Sequence, residues 1–176
     1  MLLKLILPLL PLLTITLSSP VVAPRDVPVI IDDFNTISSD IDYFNEAVKA
    51  FQGSIDAGLE VHNREQTIEA DIAQTIDDVQ AADPFTDAES EKIKNKLLDL
   101  EPKILGSLDL VVSKKAVFME AAMGGIVVND LNNLQAKTNT LADALKAKAT
   151  PEDAALLEEH MKTINAAFVD AINTFS

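Results

Sequence analysis

The stretch from Ala116 to Val128 reads A-V-F-M-E-A-A-M-G-G-I-V-V, and every position except Glu120 is apolar or small. A helix that is hydrophobic around its whole circumference has no face for water and has to lie inside something. At roughly 1.5 Å per residue it reaches only about 20 Å, too short to cross a bilayer. The stretch therefore predicts the buried centre of a helical domain. Gly124 and Gly125 stand side by side in it, although each costs about 1 kcal/mol relative to Ala in a helix interior. Two explanations are open: a neighbouring helix packs closely against the pair, or the missing side chains leave a lumen for an apolar guest. In the second case a bulky residue at Ala122 is expected to block it.

What surrounds that centre follows from apolar spacing. Ile30, Phe34, Ile37, Ile41, Phe44, Val48, Phe51 and Ile55 recur at alternating intervals of four and three, the seam of a bundle-forming helix that ends near Gly53. A second helix runs from about Leu59 to Ala81 and stops before Asp83-Pro84, because the residue before proline avoids the α region. Thr86-Asp-Ala-Glu89 has capping-box spacing and starts a third, with Pro102 expected to kink or divide it. The fourth begins with the apolar stretch and continues through Leu131, Leu134, Leu141 and Leu145. Thr150-Pro151-Glu152-Asp153 opens the fifth with an N-cap, a first-turn proline and first-turn acids. Aromatic residues make up only 5% of the chain, Trp is absent and Gly numbers five, so the core is aliphatic and tight β-turns are few. The expected fold is all-α: a single five-helix bundle over residues 29–176 with an apolar centre or cavity.

Met1 to Leu17 carries one Lys and then a proline-broken apolar run, the pattern of a secretory signal over residues 1–18. A Pro-rich lead-in over 19–28 follows. The formal charge of −14 disfavours nucleic acid and anionic membranes as partners and predicts a monomer. Without Cys there is no disulfide, thiolate nucleophile or Cys-bound metal. No Asn-X-Ser/Thr sequon is present, and the C-terminus resembles neither a lipid-anchor signal nor a Ser/Thr-rich stalk. A free secreted product is expected.

No nucleophile elbow, phosphate loop or H-E-x-x-H pair occurs, so no catalytic residue, metal or cofactor is assigned. His62, Glu65 and Glu69 share one helical face, but such faces arise by chance in acidic helices, and His160 reads as a boundary residue. Apolar capacity remains. Flexible Met119 and Met123 beside small Ala121, Ala122 and the glycine pair suit an acyl chain or sterol. The ligand-binding candidates are Leu108, Val112, Phe118, Met119, Met123, Ile126 and Leu131, with Lys114 and Lys115 weighed as partners for a carboxylate at the cavity mouth. Burying a 16-carbon chain is worth on the order of 10 kcal/mol before ordering costs.

Several segments in order resemble the fungal hydrophobic surface-binding protein A and cell-wall galactomannoprotein family. They are Asp26-Val-Pro-Val-Ile-Ile-Asp-Asp-Phe34, Asp83-Pro-Phe-Thr-Asp-Ala-Glu89, Leu108-Asp-Leu-Val-Val-Ser-Lys-Lys115, the Gly124-Gly125 helix through Val128-Asn-Asp-Leu131, and Ala167-Phe-Val-Asp-Ala171. The resemblance implies a secreted, all-α, non-enzymatic protein. It also implies one of two roles: holding a fatty acid or other apolar small molecule inside a helical bundle, or adsorbing to hydrophobic surfaces and recruiting a secreted hydrolase. The absence of a Ser/Thr-rich tail weighs against covalent wall attachment and leaves wall association open.

Overall fold

The computed structural model describes residues 26–176; the leader and most of the lead-in lie outside the described residues. Among the described residues there are six helices: α1 (Val27–Ala50), α2 (Ile55–Ala81), α3 (Asp87–Ser113), α4 (Lys115–Glu120), α5 (Gly124–Lys148) and α6 (Pro151–Phe175). None is long and apolar enough to cross a membrane. The helix starts carry the expected chemistry. Ser54 accepts from the Ala57 N–H, the Glu89 carboxylate accepts from the Thr86 N–H, and Thr150 accepts from the Asp153 N–H, each satisfying a backbone donor left over at or beside a helix start. Pro102 does not divide α3, which continues through it.

The five long helices form a ring. Going round it, α1 packs on α2, α2 on α5, α5 on α6, α6 on α3, and α3 on α1. Their stripes converge on one core, in which Ile30, Phe34, Val48, Phe51, Val79, Ile93, Phe118, Leu145, Leu157 and Ile164 are almost completely shielded from solvent. An odd ring cannot alternate direction throughout, so some neighbours must run parallel. Lys96 reaches Asn35 and Lys103 reaches Asp42, and Lys94 pairs with Asp153 as Glu101 does with His160. Both sets keep constant offsets, the signature of parallel α1–α3 and α3–α6 contacts.

Successive helices are ring neighbours only at the α1–α2 and α5–α6 turns. The other two connections cross an end of the ring, and each brings a buried Phe there. Between α2 and α3, Phe85 is buried and its N–H donates to the Lys148 carbonyl (2.8 Å) at the end of α5. Between α3 and α5 the crossing is α4, which sets Phe118 against Phe51 in a stacked contact (4.6 Å) and edge-on to Phe175 (6.1 Å). Lys114 and Lys115 flank this crossing. The Lys114 ammonium donates to the Lys49 and Phe51 carbonyls (3.0 and 3.1 Å) and Lys115 to the Thr174 carbonyl, so both meet the negative C-terminal ends of α1 and α6. Both ammonium groups are thus engaged with backbone carbonyls at the end of the ring crossed by α4.

The expectation of one continuous fourth helix, and so of five helices, is corrected at this point. After Glu120 the chain ends α4 with a left-handed residue, Ala122 at φ 58°. Its N–H donates to the Met119 carbonyl (3.0 Å) and the Met123 N–H to the Phe118 carbonyl (2.9 Å), the paired bonds of a Schellman ending. The break lets Phe118 turn inward while α5 leaves along the wall. The apolar stretch is consequently not buried all round: Met119 is 49% and Ile126 43% exposed. Nor does the glycine pair line a lumen. A Cβ on Gly125 would meet nothing, and one on Gly124 would fall 2.4 Å from the Met119 sulfur. The tightest glycine is Gly58 of α2, where a Cβ would fall 2.2 Å from the sulfur of Met123, the residue that precedes α5.

Two substitutions test this end of the ring by urea unfolding. Phe118→Ala removes a fully buried ring and is expected to cost about 3–5 kcal/mol; a loss under about 1 kcal/mol would show that the aromatic cluster does not hold the end. Ala122→Gly relieves a left-handed alanine and is expected to stabilise by about 0.5–1 kcal/mol after the added unfolded-state entropy is subtracted.

Candidate functional site

Inside the ring the side chains do not meet completely. A void of about 60 Å³ lies at mid-height, walled by Ile37, Ile41 and Phe44 of α1, Ile68 and Ile72 of α2, Ile104, Ser107, Leu108 and Val111 of α3, Leu131, Leu134 and Thr138 of α5, and Phe168 of α6. Smaller voids continue it in both directions. One of about 30 Å³ shares Ile37, Ile72, Ile104 and Thr138 and extends to Phe34, Leu97 and Leu141. The other, about 20 Å³, shares Phe44, Val111, Leu131 and Leu134 and ends on Phe118, Val127, Glu65 and Asp130. The three form one broken axial seam. A wider cleft of about 500 Å³ between the starts of α3 and α6 is open and polar, lined by Asp87, Glu91, Lys94, Glu152 and Asp153, and offers nothing to an apolar guest.

Residual cavity volume costs about 24 cal/mol per Å³, so the central void forfeits about 1.5 kcal/mol of packing. Small-molecule pockets run to roughly 300–1,000 Å³. A guest of lipid size therefore enters only if the walls move apart, and filling the void returns part of what the movement costs.

Of the residues singled out from sequence, Leu108 and Leu131 wall the central void, and Phe118 and Leu131 the smaller one beneath the aromatic cluster. Val112 and Met123 are half-buried against the core, while Met119 and Ile126 stand on the surface. Ala122 is exposed at the α4–α5 joint, so bulk there strains the joint instead of filling the void. The walls from α1 and α2 were not among the candidates. Their signal was the four-three spacing, which fixes the inward stripe but not that this stripe faces leftover space.

Glu65 is the polar residue that sequence reasoning placed without assigning. It is 2% exposed, and apart from a carboxyl–carboxyl contact with Glu69 one turn on, neither of its oxygens has a hydrogen-bond partner. Burial pushes its pKa up to about 9, with the neighbouring Glu69 and Asp130 carboxyls adding to the rise and Lys137 opposing it. Asp130 is also raised, first by burial, although His62 offsets part of this through a contact of 3.0 Å between Nδ1 and Oδ2. His62, Glu65 and Asp130 bring one ligand atom each within 4.8 Å of one another. Asp130 from α5 takes the third place that the helical spacing gave to Glu69. A similar acid pairing lies between α1 and α2, where burial and then Asp40 push Asp71 up to about 6.

The sign of the pH effect follows. Folded Glu65 holds its proton more tightly than the unfolded chain does, so between its ordinary 4.5 and about 9 every rise in pH favours unfolding; Asp71 acts the same way between 3.8 and about 6. The melting temperature is expected to rise as pH is lowered from 8 to 5. Glu65→Gln, measured by circular dichroism, is expected to flatten that slope; an unchanged slope would mean that Glu65 is ionised in the folded protein.

The sequence profile of the hydrophobic surface binding protein A family matches residues 27–147. Cell wall mannoprotein 1 of Aspergillus flavus is 27% identical over 145 residues, spanning 80% of this chain and 50% of that protein. Its namesake in Aspergillus fumigatus is 24% identical over 163 residues, spanning 93% and 56%. The chain thus spans about half the length of these relatives. Among solved structures, AfMP4p in complex with palmitic acid superposes with a TM-score of 0.85 at 37% identity, covering 86% of this chain and all of that one (100%). Ligand binding domain 1 of the Penicillium marneffei MP1 protein, complexed with arachidonic acids, gives 0.81 at 18% identity over 86% and 99%, a likeness of fold. With two thirds of its length inside the profile, the chain belongs to the hydrophobic surface binding protein A family.

Proposed function

We propose that this protein is a secreted, non-enzymatic carrier that holds one fatty acid or similar acyl ligand along the axis of the helical ring, as a monomer. The observation that carries this reading is the axial seam of voids with mainly apolar walls, in a ring that superposes on a palmitic-acid complex at 37% identity. Leu108, Leu131 and Phe118 are the members of the sequence-derived set that wall the seam, with Ile41, Phe44 and Ile72 completing the contact. An extracellular or wall-associated location accords with the wall mannoproteins it resembles.

A second reading has its own observation. Ile55 and Leu59 at the start of α2, Met119 of α4 and Ile126 at the start of α5 are all exposed, Ile55 by 86%, and all belong to the end of the ring crossed by α4. An exposed apolar end suits adsorption to an oil, wax or polymer surface, where recruitment of a secreted hydrolase is the corresponding partner role.

Native and denaturing mass spectrometry of the purified protein distinguish the two. The carrier reading expects one copurifying acyl lipid per chain. A lipid-free protein that coats a hydrophobic surface would favour adsorption. Ser107→Leu sharpens the test, because Ser107 lines the void and its hydroxyl donates only to the Lys103 carbonyl one turn back (2.8 Å). The variant is expected to keep its melting temperature within a few degrees and lose at least about tenfold in fatty-acid affinity; unchanged affinity would place the ligand elsewhere.

A further inference from the structure

The axial seam is not the same at its two ends. Towards Phe34, Leu97 and Leu141 it is closed by hydrocarbon, with the Thr138 hydroxyl as the one polar side chain on that wall. Beneath Phe118 it ends on Glu65 and Asp130. Midway, the Ser107 hydroxyl is already bonded to the Lys103 carbonyl. The void beside Glu65, about 20 Å³, has room for about one water-sized group. A buried carboxyl whose one hydrogen-bonding neighbour is a second carboxyl, Glu69, is costly, and such groups in folded proteins call for an explanation. Asp130 and His62 satisfy each other, but His62 Nδ1 stays 4.0 Å from the nearer Glu65 oxygen, beyond hydrogen-bond reach.

We propose that Glu65, backed by Asp130 and His62, is a head-group subsite that hydrogen-bonds the oxygen-bearing end of an acyl ligand and selects a hydroxyl or un-ionised carboxyl over an ionised carboxylate. This deepens the carrier reading and rests on it. A protonated Glu65 offers one O–H donor and one acceptor oxygen, which match an alcohol or a carboxylic acid. An ionised head would enter among the Glu65, Glu69 and Asp130 carboxyls, with Lys137 of α5 as the nearby cation and the His62 ring of α2 already held by Asp130. The ligand then lies with its head under the aromatic cluster and its tail towards Phe34. At roughly 1.5 Å per residue, the ten positions from Phe44 to Phe34 give that tail about 15 Å of axial run.

The test measures binding of 1-dodecanol, lauric acid and 1-chlorododecane by calorimetry at pH 5 and pH 8 to the native chain, Glu65→Gln and Glu65→Leu. The native chain is expected to prefer 1-dodecanol over 1-chlorododecane by about tenfold to a hundredfold, and to bind lauric acid more tightly at pH 5 than at pH 8. Glu65→Gln keeps a donor and retains the dodecanol preference. Glu65→Leu, which removes a desolvated carboxyl and is expected to fold, loses the preference but still binds 1-chlorododecane. Retention of the preference in a folded Glu65→Leu would overturn the head-group assignment and leave the carrier reading standing; failure of all three compounds to bind any form would overturn both. Stoichiometric Zn²⁺ uptake by the native chain that Glu65→Gln abolishes would assign His62, Glu65 and Asp130 to a cation and also overturn the proposal.

Discussion

Five helices in a ring leave more space at the centre than four do. With neighbouring axes roughly 8–10 Å apart, the middle of a regular five-membered ring lies about 8 Å from each axis, against about 6.5 Å for a square of four. Side chains must cover that extra reach. This chain supplies the stripes mainly with Ile, Leu and Val, seven Phe and no Trp, and the seam of small voids is what aliphatic side chains leave unfilled. The cavity is thus a consequence of ring number and composition together, and the same shortfall that lowers packing energy creates apolar room.

Closing the ring sets the remaining structure. Because the α2–α3 and α3–α5 connections join helices that are not neighbours, each has to pass over an end, and Phe85 and Phe118 occupy those crossings. Three lysines borrowed from other segments then cap helix C-termini: Lys114 at α1, Lys115 at α6 and Lys148 at α2, the last through the Gln80 and Ala82 carbonyls. In a chain with twice as many acidic as basic residues, 28 against 14, these cations are used on backbone dipoles rather than on surface pairing.

The long helices and their inward faces were legible in the sequence, because a stripe such as Ile30 to Val48 depends on local periodicity that tertiary contacts do not override. The capping residues Thr86 and Thr150 were legible for the same reason. The break at Ala122 was not: alanine stands where glycine ordinarily marks a left-handed helix ending, and the real glycines follow at positions 124 and 125. The apolar run therefore read as one buried helix when six of its thirteen residues are exposed. At the site, Leu108, Phe118 and Leu131 could be chosen from hydrophobicity, but Glu65 could not be placed at a cavity end, since its neighbour Asp130 comes from another helix and meets it only through the α2–α5 contact.

The crossing segment α4 is both a cover and a tether. It carries Phe118 over the ring's end, and it is the covalent link between α3 and α5, two walls that do not otherwise pack on each other as main neighbours. Lifting the cover therefore pulls on both walls, and spreading the walls pulls on the cover. The α4 cover and the α3 and α5 walls are thus one covalent unit, and any widening of the bore between those two walls loads the joints at Lys114 and Ala122.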